Sequence, residues 1–188
     1  MTRRNDKRSR LIQAAVQLFQ QQGVNITTLA NIAALANVPL GNVYYYFKSK
    51  ESIINAVVEL HIQHLKERFQ EWEAAFQQGK DRLAALIRHQ NTVSEQTIHS
   101  GEPIGALCQE LSKQTGKLPE LSMALMQELY QWCQVQFKQF GKSDSEAGVY
   151  ANHLLSALLG NGIVTLTFKD SAFTKNQTQV LLEWLTKL

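Results

Sequence analysis

Residues 27–50 read TTLANIAALANVPLGNVYYYFKSK, and this stretch decides the fold of the N-terminal part of the chain. Apolar residues at helical spacing run up to Asn37, and Pro39 then precedes a second short helical segment. Val43 and Phe47 lie four residues apart in that segment, so they share one face and are expected to pack inward. Two short helices joined by a tight turn predict a helix-turn-helix.

The rest of the chain also has helical periodicity. Only three prolines and ten glycines occur among 188 residues, 44% of which are hydrophobic, and alternating strand patterns are scarce. We therefore predict an all-α protein. Thr27 and Ser49 are the expected caps of the second and fourth helices. The nine predicted helices span about 6–22, 28–36, 40–47, 50–78, 80–100, 104–115, 118–140, 144–168 and 174–187.

Positive charge is concentrated at the N-terminal end. Residues 1–50 contain seven Lys or Arg and one acid, a net of +6, whereas the whole chain carries +3, which leaves −3 for residues 51–188. This asymmetry favours an N-terminal module that faces a polyanion, although a merely solvated basic tail has the same composition.

Composition and motifs also argue against several classes of protein, namely secreted proteins, membrane proteins and enzymes. The two cysteines form no CxxC pair and no disulfide framework, and the first ten residues lack the apolar core of a signal peptide. The apolar stretch at 153–168 is too short and interrupted to span a bilayer. A glycine-rich phosphate loop, a nucleophile elbow and HExxH are all missing from the sequence. We expect a cytoplasmic protein that is not an enzyme, has no cofactor or metal site, and does not contact a membrane.

The three consecutive tyrosines suit a nucleic-acid surface. Three adjacent residues on a helix span about 200°, so they cannot all join an aromatic core. A phenol offers a hydroxyl to a phosphate oxygen and a flat apolar ring to a sugar or a thymine methyl. The expected outward-facing residues are Leu40, Gly41, Asn42, Tyr44, Tyr45 and Tyr46, with Lys48 and Lys50 adding charge.

The segment TTLANIAALANVPLGNVYYYFKSKESIINAV, residues 27–57, resembles the DNA-binding signature of the TetR family of bacterial regulators. The resemblance implies that the residues at Leu40, Gly41 and Tyr44 approach bases. It also implies phosphate contacts at Thr27, Thr28, Tyr45, Tyr46 and Lys50, although Tyr46 replaces the histidine common at that position.

The resemblance implies an architecture as well. It predicts a helix-turn-helix DNA-binding domain at residues 1–48 and a helical ligand-binding and dimerisation domain at residues 49–188. A homodimer of this kind reads a palindromic double-stranded DNA operator, and a small-molecule ligand releases it, so that it acts as a repressor. The alternative is an architectural or non-specific DNA-binding helical protein without ligand control.

The last two predicted helices favour a dimer. The helix at 144–168 is apolar on nearly every side, which is typical of a helix that is buried all round. A two-fold dimer would bury it, and so would the core of a compact monomer. The expected interface residues are Leu154, Ala157, Leu158, Leu181, Trp184 and Leu185.

Candidates for a ligand cavity are apolar and aromatic residues, with a few polar groups, at helical spacing among the middle helices. They include no dense charge cluster, which favours an apolar or aromatic effector. The candidates are His89, Val93, Cys108, Met126, Tyr130, Trp132, Cys133, Tyr150 and His153, and for any one of them ordinary core packing is the better explanation. Cys108 and Cys133 are also candidates for a redox switch. His61 and His64 have the spacing of a metal pair but lack a third ligand.

Overall fold

The computed structural model describes residues 3–92 and 98–188, with side chains from Asp6 onward, and all regular secondary structure in these ranges is helical. The prediction of an all-α protein with nine helices is confirmed for this part of the chain. The helices are α1 (Arg3–Gln22), α2 (Leu29–Leu35), α3 (Leu40–Tyr46), α4 (Lys50–Ala75), α5 (Gly79–Thr92), α6 (Pro103–Leu111), α7 (Leu118–Gln139), α8 (Asp144–Phe168) and α9 (Ala172–Lys187).

The cap of α2 differs from the prediction by one residue. Thr28, not Thr27, accepts a hydrogen bond from the Asn31 backbone N–H at 3.1 Å, and Asn31 Oδ1 accepts one from the Thr28 N–H at 2.9 Å. Thr27 is buried instead, and its hydroxyl donates to the Gly23 carbonyl at 2.7 Å. The contact with Gly23 turns the first threonine inward and leaves the second to cap the helix.

The turn between α2 and α3 depends on Asn37. This residue has a φ of 51°, a left-handed conformation that asparagine tolerates better than most residues. The Val38 N–H donates to the Ala33 carbonyl at 2.9 Å, which closes the end of α2. Arg10 of α1 donates to the Asn37 carbonyl at 2.7 Å, so the first helix holds the turn in place.

Contacts divide the chain into two compact units, residues 1–63 with 104–125 and residues 64–103 with 126–188. Helices α4 and α7 each contribute residues to both units. The functional boundary expected after residue 48 stays a prediction.

The second unit has an aromatic core. The rings of Phe69 and Trp132 stack with centroids 4.4 Å apart, and Trp72 packs beside both. A second group of rings joins Phe137, Tyr150 and Trp184. Buried leucines of α5, α8 and α9 complete one continuous hydrophobic cluster.

Helix α8 is buried on only one side in this chain. Its inward side carries Ala147, Ala151, Leu154, Leu155, Leu158, Gly162 and Thr165. The single chain does not bury α8 all round, as the compact-monomer alternative requires, because Val149, Ile163, Val164 and Phe168 are exposed on it. Among the described helices α8 alone has the length and composition to cross a membrane, a property that core helices of soluble proteins share.

Candidate nucleic-acid interface

Helix α3 presents its polar and aromatic side chains outward from a fixed core. Val43 and Phe47 are buried, as predicted, and they anchor the helix to the rest of its unit. Tyr44 and Tyr45 are 50% and 58% exposed, and Leu40 is 43% exposed. A rigid helix with large exposed side chains is the kind of element that enters a major groove.

The first turn of α3 leaves room for a close approach. The Asn42 N–H donates to the Pro39 carbonyl at 2.8 Å. This bond satisfies one of the backbone N–H groups that the first turn of a helix leaves without an intrahelical partner. A Cβ built on Gly41 would meet nothing within 4 Å. Packing inside the chain therefore does not require glycine at position 41. A close approach of a DNA backbone or base to this position would favour glycine, because glycine has no side chain to obstruct it.

The tyrosines differ in their surroundings. The rings of Tyr45 and Tyr46 meet edge to face with centroids 5.1 Å apart, and Tyr46 is half-buried. Since the neighbouring ring limits its rotation, Tyr45 is held at the surface with little conformational freedom to lose on binding.

The two lysines after α3 are placed unequally. Lys48 is exposed. Lys50 is partly buried and donates from Nζ to the Asn25 carbonyl at 3.2 Å. Burial lowers the pKa of Lys50 and the nearby Glu110 carboxylate opposes this shift. Lys50 therefore already has a partner within the chain, and Lys48 is the freer cation for a phosphate.

The two threonines carried over from the family resemblance need correction. Because Thr27 is buried and its hydroxyl is bonded to Gly23, its side chain is not available to a phosphate. The Thr28 hydroxyl lies at the surface but donates to Asn31 Oδ1 at 2.6 Å. Both residues position α2 in this structure, and a phosphate contact by Thr28 would require its cap to rearrange.

Two arginines that the sequence patterns did not single out support the helix-turn-helix. The Arg8 guanidinium lies 5.2 Å from the centre of the Phe47 ring, and Arg10 bonds the turn at Asn37. In the sequence, only the concentration of positive charge in the first ten residues drew attention to these arginines. That charge predicted contact with a polyanion, whereas the structure shows contacts within the chain.

The candidate ligand residues are dispersed. Cys108 packs in the first unit, where its thiol donates to the Ser122 carbonyl at 3.6 Å. Trp132 and Cys133 belong to the hydrophobic cluster of the second unit, and the Trp132 Nε1–H donates to Glu73 Oε1 at 2.8 Å. Met126 is half-buried, and Val93 lies outside the described residues.

The remaining candidates belong to the second unit and already have neighbours. The Tyr130 hydroxyl donates to the Gly148 carbonyl at 3.3 Å, and Tyr150 packs against Phe137. His153 is exposed, with its ring 4.7 Å from that of Trp184. His89 is half-buried against Trp72, and burial followed by the charge of Arg68 lowers its pKa. His89 is therefore held in the neutral form more strongly than a free histidine.

The predicted dimer residues lie mostly inside the chain. Leu154, Leu158, Leu181 and Leu185 are buried in the second unit's own cluster, so they offer almost no surface to a partner. Ala157 and Trp184 are partly exposed. The large apolar side chains that remain exposed are Val180 on α9 and, on α8, Val149, Ile163, Val164 and Phe168. We call the four on α8 the α8 outer face.

The comparisons with known proteins agree with this geometry. The family model for bacterial regulatory proteins of the tetR family matches residues 11–57, which include α2, α3 and the start of α4. The transcriptional regulator LmrA of Bacillus subtilis is 28% identical over 170 residues, covering 88% of this chain and 89% of LmrA. The regulator AcrR of Shigella flexneri is 35% identical over 71 residues, 38% of this chain and only 33% of AcrR.

Among solved structures, a TetR transcriptional regulator from Chloroflexus aurantiacus has the same fold. It superposes with a TM-score of 0.87 at 19% identity, covering 99% of this chain and 97% of that one. The matched proteins are named as transcriptional regulators, which are not enzymes. Residues 11–57 match the tetR family of bacterial regulatory proteins and contain the helix-turn-helix with its exposed recognition helix, and the described chain has the fold of a TetR transcriptional regulator.

Proposed function

We propose that this regulator is a cytoplasmic repressor that binds a palindromic operator in double-stranded DNA as a homodimer and leaves it when a small ligand binds. The observation that carries the proposal is α3, which is anchored by the buried Val43 and by the buried Phe47 just after it, while it exposes Leu40, Tyr44 and Tyr45. In this arrangement the core fixes the helix and the exposed residues read the major groove.

The DNA contacts are divided between bases and phosphates. Leu40, Gly41, Asn42 and Tyr44 lie in the first turns of α3, the end that enters the groove in a helix-turn-helix. Tyr45, Tyr46 and Lys48 contact the phosphate backbone, and Lys50 contributes its charge from the start of α4. Thr28 acts through the position of α2.

The dimer uses the α8 outer face. Its exposed residues recur along one side of α8 from Val149 to Phe168, and Phe168 stacks on Phe173 with centroids 4.9 Å apart. The exposed residues between Val149 and Ile163 are the polar Asn152, His153 and Ser156, so the apolar part is concentrated at Ile163, Val164 and Phe168. Exposed apolar side chains grouped in this way are typical of a protein–protein contact. A two-fold dimer formed through this face has two copies of α3, one for each half-site of a palindromic operator.

The effector is an apolar or aromatic small molecule. Support comes from the side chains of the second unit, where Tyr130, Tyr150 and His89 are only half-buried beside an aromatic core. These groups combine apolar area with a few polar atoms, which is the composition of most small-molecule sites.

Selection of bound sequences from random duplex DNA tests the function. We expect a palindromic consensus that the purified protein prefers over random duplex by at least a hundredfold, or about 3 kcal/mol, at physiological salt. Binding without an enriched sequence, but with steep salt dependence, would instead identify an architectural DNA-binding protein.

A further inference from the structure

Three side chains from outside the loop between α1 and α2 bind the same residue of that loop, Asn25. The Asn25 N–H donates to Glu110 Oε2 at 3.1 Å, and the Asn25 carbonyl accepts from Lys50 Nζ at 3.2 Å. Asn25 Oδ1 also accepts from Gln114 Nε2 at 2.8 Å. We call Lys50, Glu110 and Gln114 the Asn25 clamp.

Glu110 makes the tightest part of this clamp. Its Oε2 also accepts the Val24 N–H at 2.9 Å, so one carboxylate oxygen satisfies two backbone donors of the loop. Gly23 makes room for it, because a Cβ at that position would lie 2.7 Å from Glu110 Oε1. Gly23 also has a φ of +86°, which only glycine adopts readily, and this backbone conformation is the reason for glycine there.

The clamped loop leads directly into the proposed DNA surface. The Gly23 carbonyl accepts the Thr27 hydroxyl, and Thr28 then caps α2. Lys50, at the first position of α4, is bonded to the same loop. A shift of the loop therefore moves the N-terminal end of α2 and releases Lys50 together.

The end of α6 that bears Glu110 is fixed independently of the loop. Glu110 lies in the last turn of α6, and the Cys108 carbonyl in that turn accepts from Ser122 Oγ of α7 at 3.0 Å. The hydroxyls of Ser112 and Ser122 are 2.7 Å apart, which adds a second tie between the end of α6 and α7. Glu110 is thus positioned by helix packing, and the loop takes its position from Glu110.

We propose that Glu110 is a positioning residue for DNA binding, which holds the Val24–Asn25 backbone so that α2 and Lys50 are presented to the phosphates. This inference rests on the proposed DNA-binding function and assigns to it a residue outside the helix-turn-helix. The carboxylate has two opposite effects on DNA affinity. It orders the loop, which favours binding, and its negative charge repels phosphates, which disfavours binding.

Two substitutions separate these effects. Glu110→Gln keeps an oxygen that can accept both N–H groups and removes the charge, whereas Glu110→Ala removes both. If positioning dominates, Glu110→Gln should bind the selected duplex as well as the wild type or a few-fold more tightly. Glu110→Ala should bind about tenfold more weakly. Gln109→Ala, at an exposed neighbour on α6, is the control and should change nothing.

Amide hydrogen exchange gives a readout that a general loss of stability does not mimic. In the wild type, we expect added duplex to slow exchange of the Val24 and Asn25 amides. In Glu110→Ala these two amides should exchange rapidly without DNA, while amides of the buried core of α1 keep their protection. Thermal unfolding confirms that each variant is folded.

The outcomes distinguish this inference from the proposed function. If the wild type prefers no duplex sequence, the proposed function fails. If the wild type has a preference but Glu110→Ala binds as tightly as Glu110→Gln, or more tightly, the carboxylate acts only by repulsion and the positioning role is overturned. Protected Val24 and Asn25 amides in Glu110→Ala would overturn it as well.

Discussion

Tyr44 projects from α3 with half of its side chain exposed, which makes it the residue at which base reading is best tested. Tyr44→Ala removes the ring while Val43 and Phe47 still anchor the helix. We expect affinity for the selected duplex to fall about tenfold, and affinity for random duplex to fall by much less. Fluorescence anisotropy titrations with both duplexes measure the difference.

Lys48→Ala is the matched comparison, because Lys48 is exposed on the same surface and contributes charge rather than shape. It should weaken binding to both duplexes equally and reduce the slope of log affinity against log salt by about one. If Tyr44→Ala also weakens both duplexes equally, the phenol contacts only the backbone.

The two thiols give a prediction with a defined pH dependence. Burial raises the pKa of the Cys133 thiol, and Cys108 is also buried. Because the thiolate is the reactive form, its population in the folded protein rises only at a higher pH than in free cysteine. We expect neither thiol to react with an aromatic disulfide reagent at pH 8 while the protein is folded. Both should react after unfolding in guanidinium, and one fast thiol in the folded protein would restore the redox-switch hypothesis.

At the scale of helices, local signals predict most boundaries. The bounds predicted for α8 agree with those observed, since Ser143 and Glu146 form a capping box before it and Lys169 ends it in a left-handed conformation. The cap of α2 was displaced by one residue because both Thr27 and Thr28 have a hydroxyl. The choice between them is made by a contact with the Gly23 carbonyl, which helical periodicity does not encode.

The α2 cap can be tested by stability. Thr28→Ala removes the oxygen that accepts the Asn31 N–H, and we expect the free energy of unfolding to fall by about 1 kcal/mol. Thr28→Ser keeps the hydroxyl and should recover most of this loss. Urea unfolding followed by circular dichroism gives the values. Equal losses in the two variants would mean that the threonine methyl, not the hydrogen bond, stabilises the helix end.

At the scale of the whole molecule, hydropathy predicted which helices have apolar faces, but it did not predict whether the same chain or a partner covers each face. Leu154 and Leu181 on the last two helices are as apolar as Ile163 and Val180, yet the first pair lies in the chain's own core and the second is exposed. A pattern of apolar residues records burial without recording whether the covering atoms belong to the same chain. The Asn25 clamp was missed for a related reason, since Asn25 and Glu110 are 85 residues apart and no local spacing connects them.

The α8 outer face can be tested with one pair of matched substitutions. Ile163 is 63% exposed on α8 and Val135 is 48% exposed on α7, so glutamate at either position is solvated in a single chain and should leave its fold intact. If the α8 outer face is the dimer contact, Ile163→Glu buries an unpaired charge against the partner and raises the dimer dissociation constant by at least about thirtyfold. Val135→Glu should leave the dimer unchanged. Sedimentation velocity over a range of concentrations measures both constants.

Because two half-sites are bound only by a dimer, Ile163→Glu should also lose affinity for the palindromic duplex while it keeps the wild-type affinity for a single half-site. Equal masses for the two variants at every concentration would place the dimer contact elsewhere on the chain.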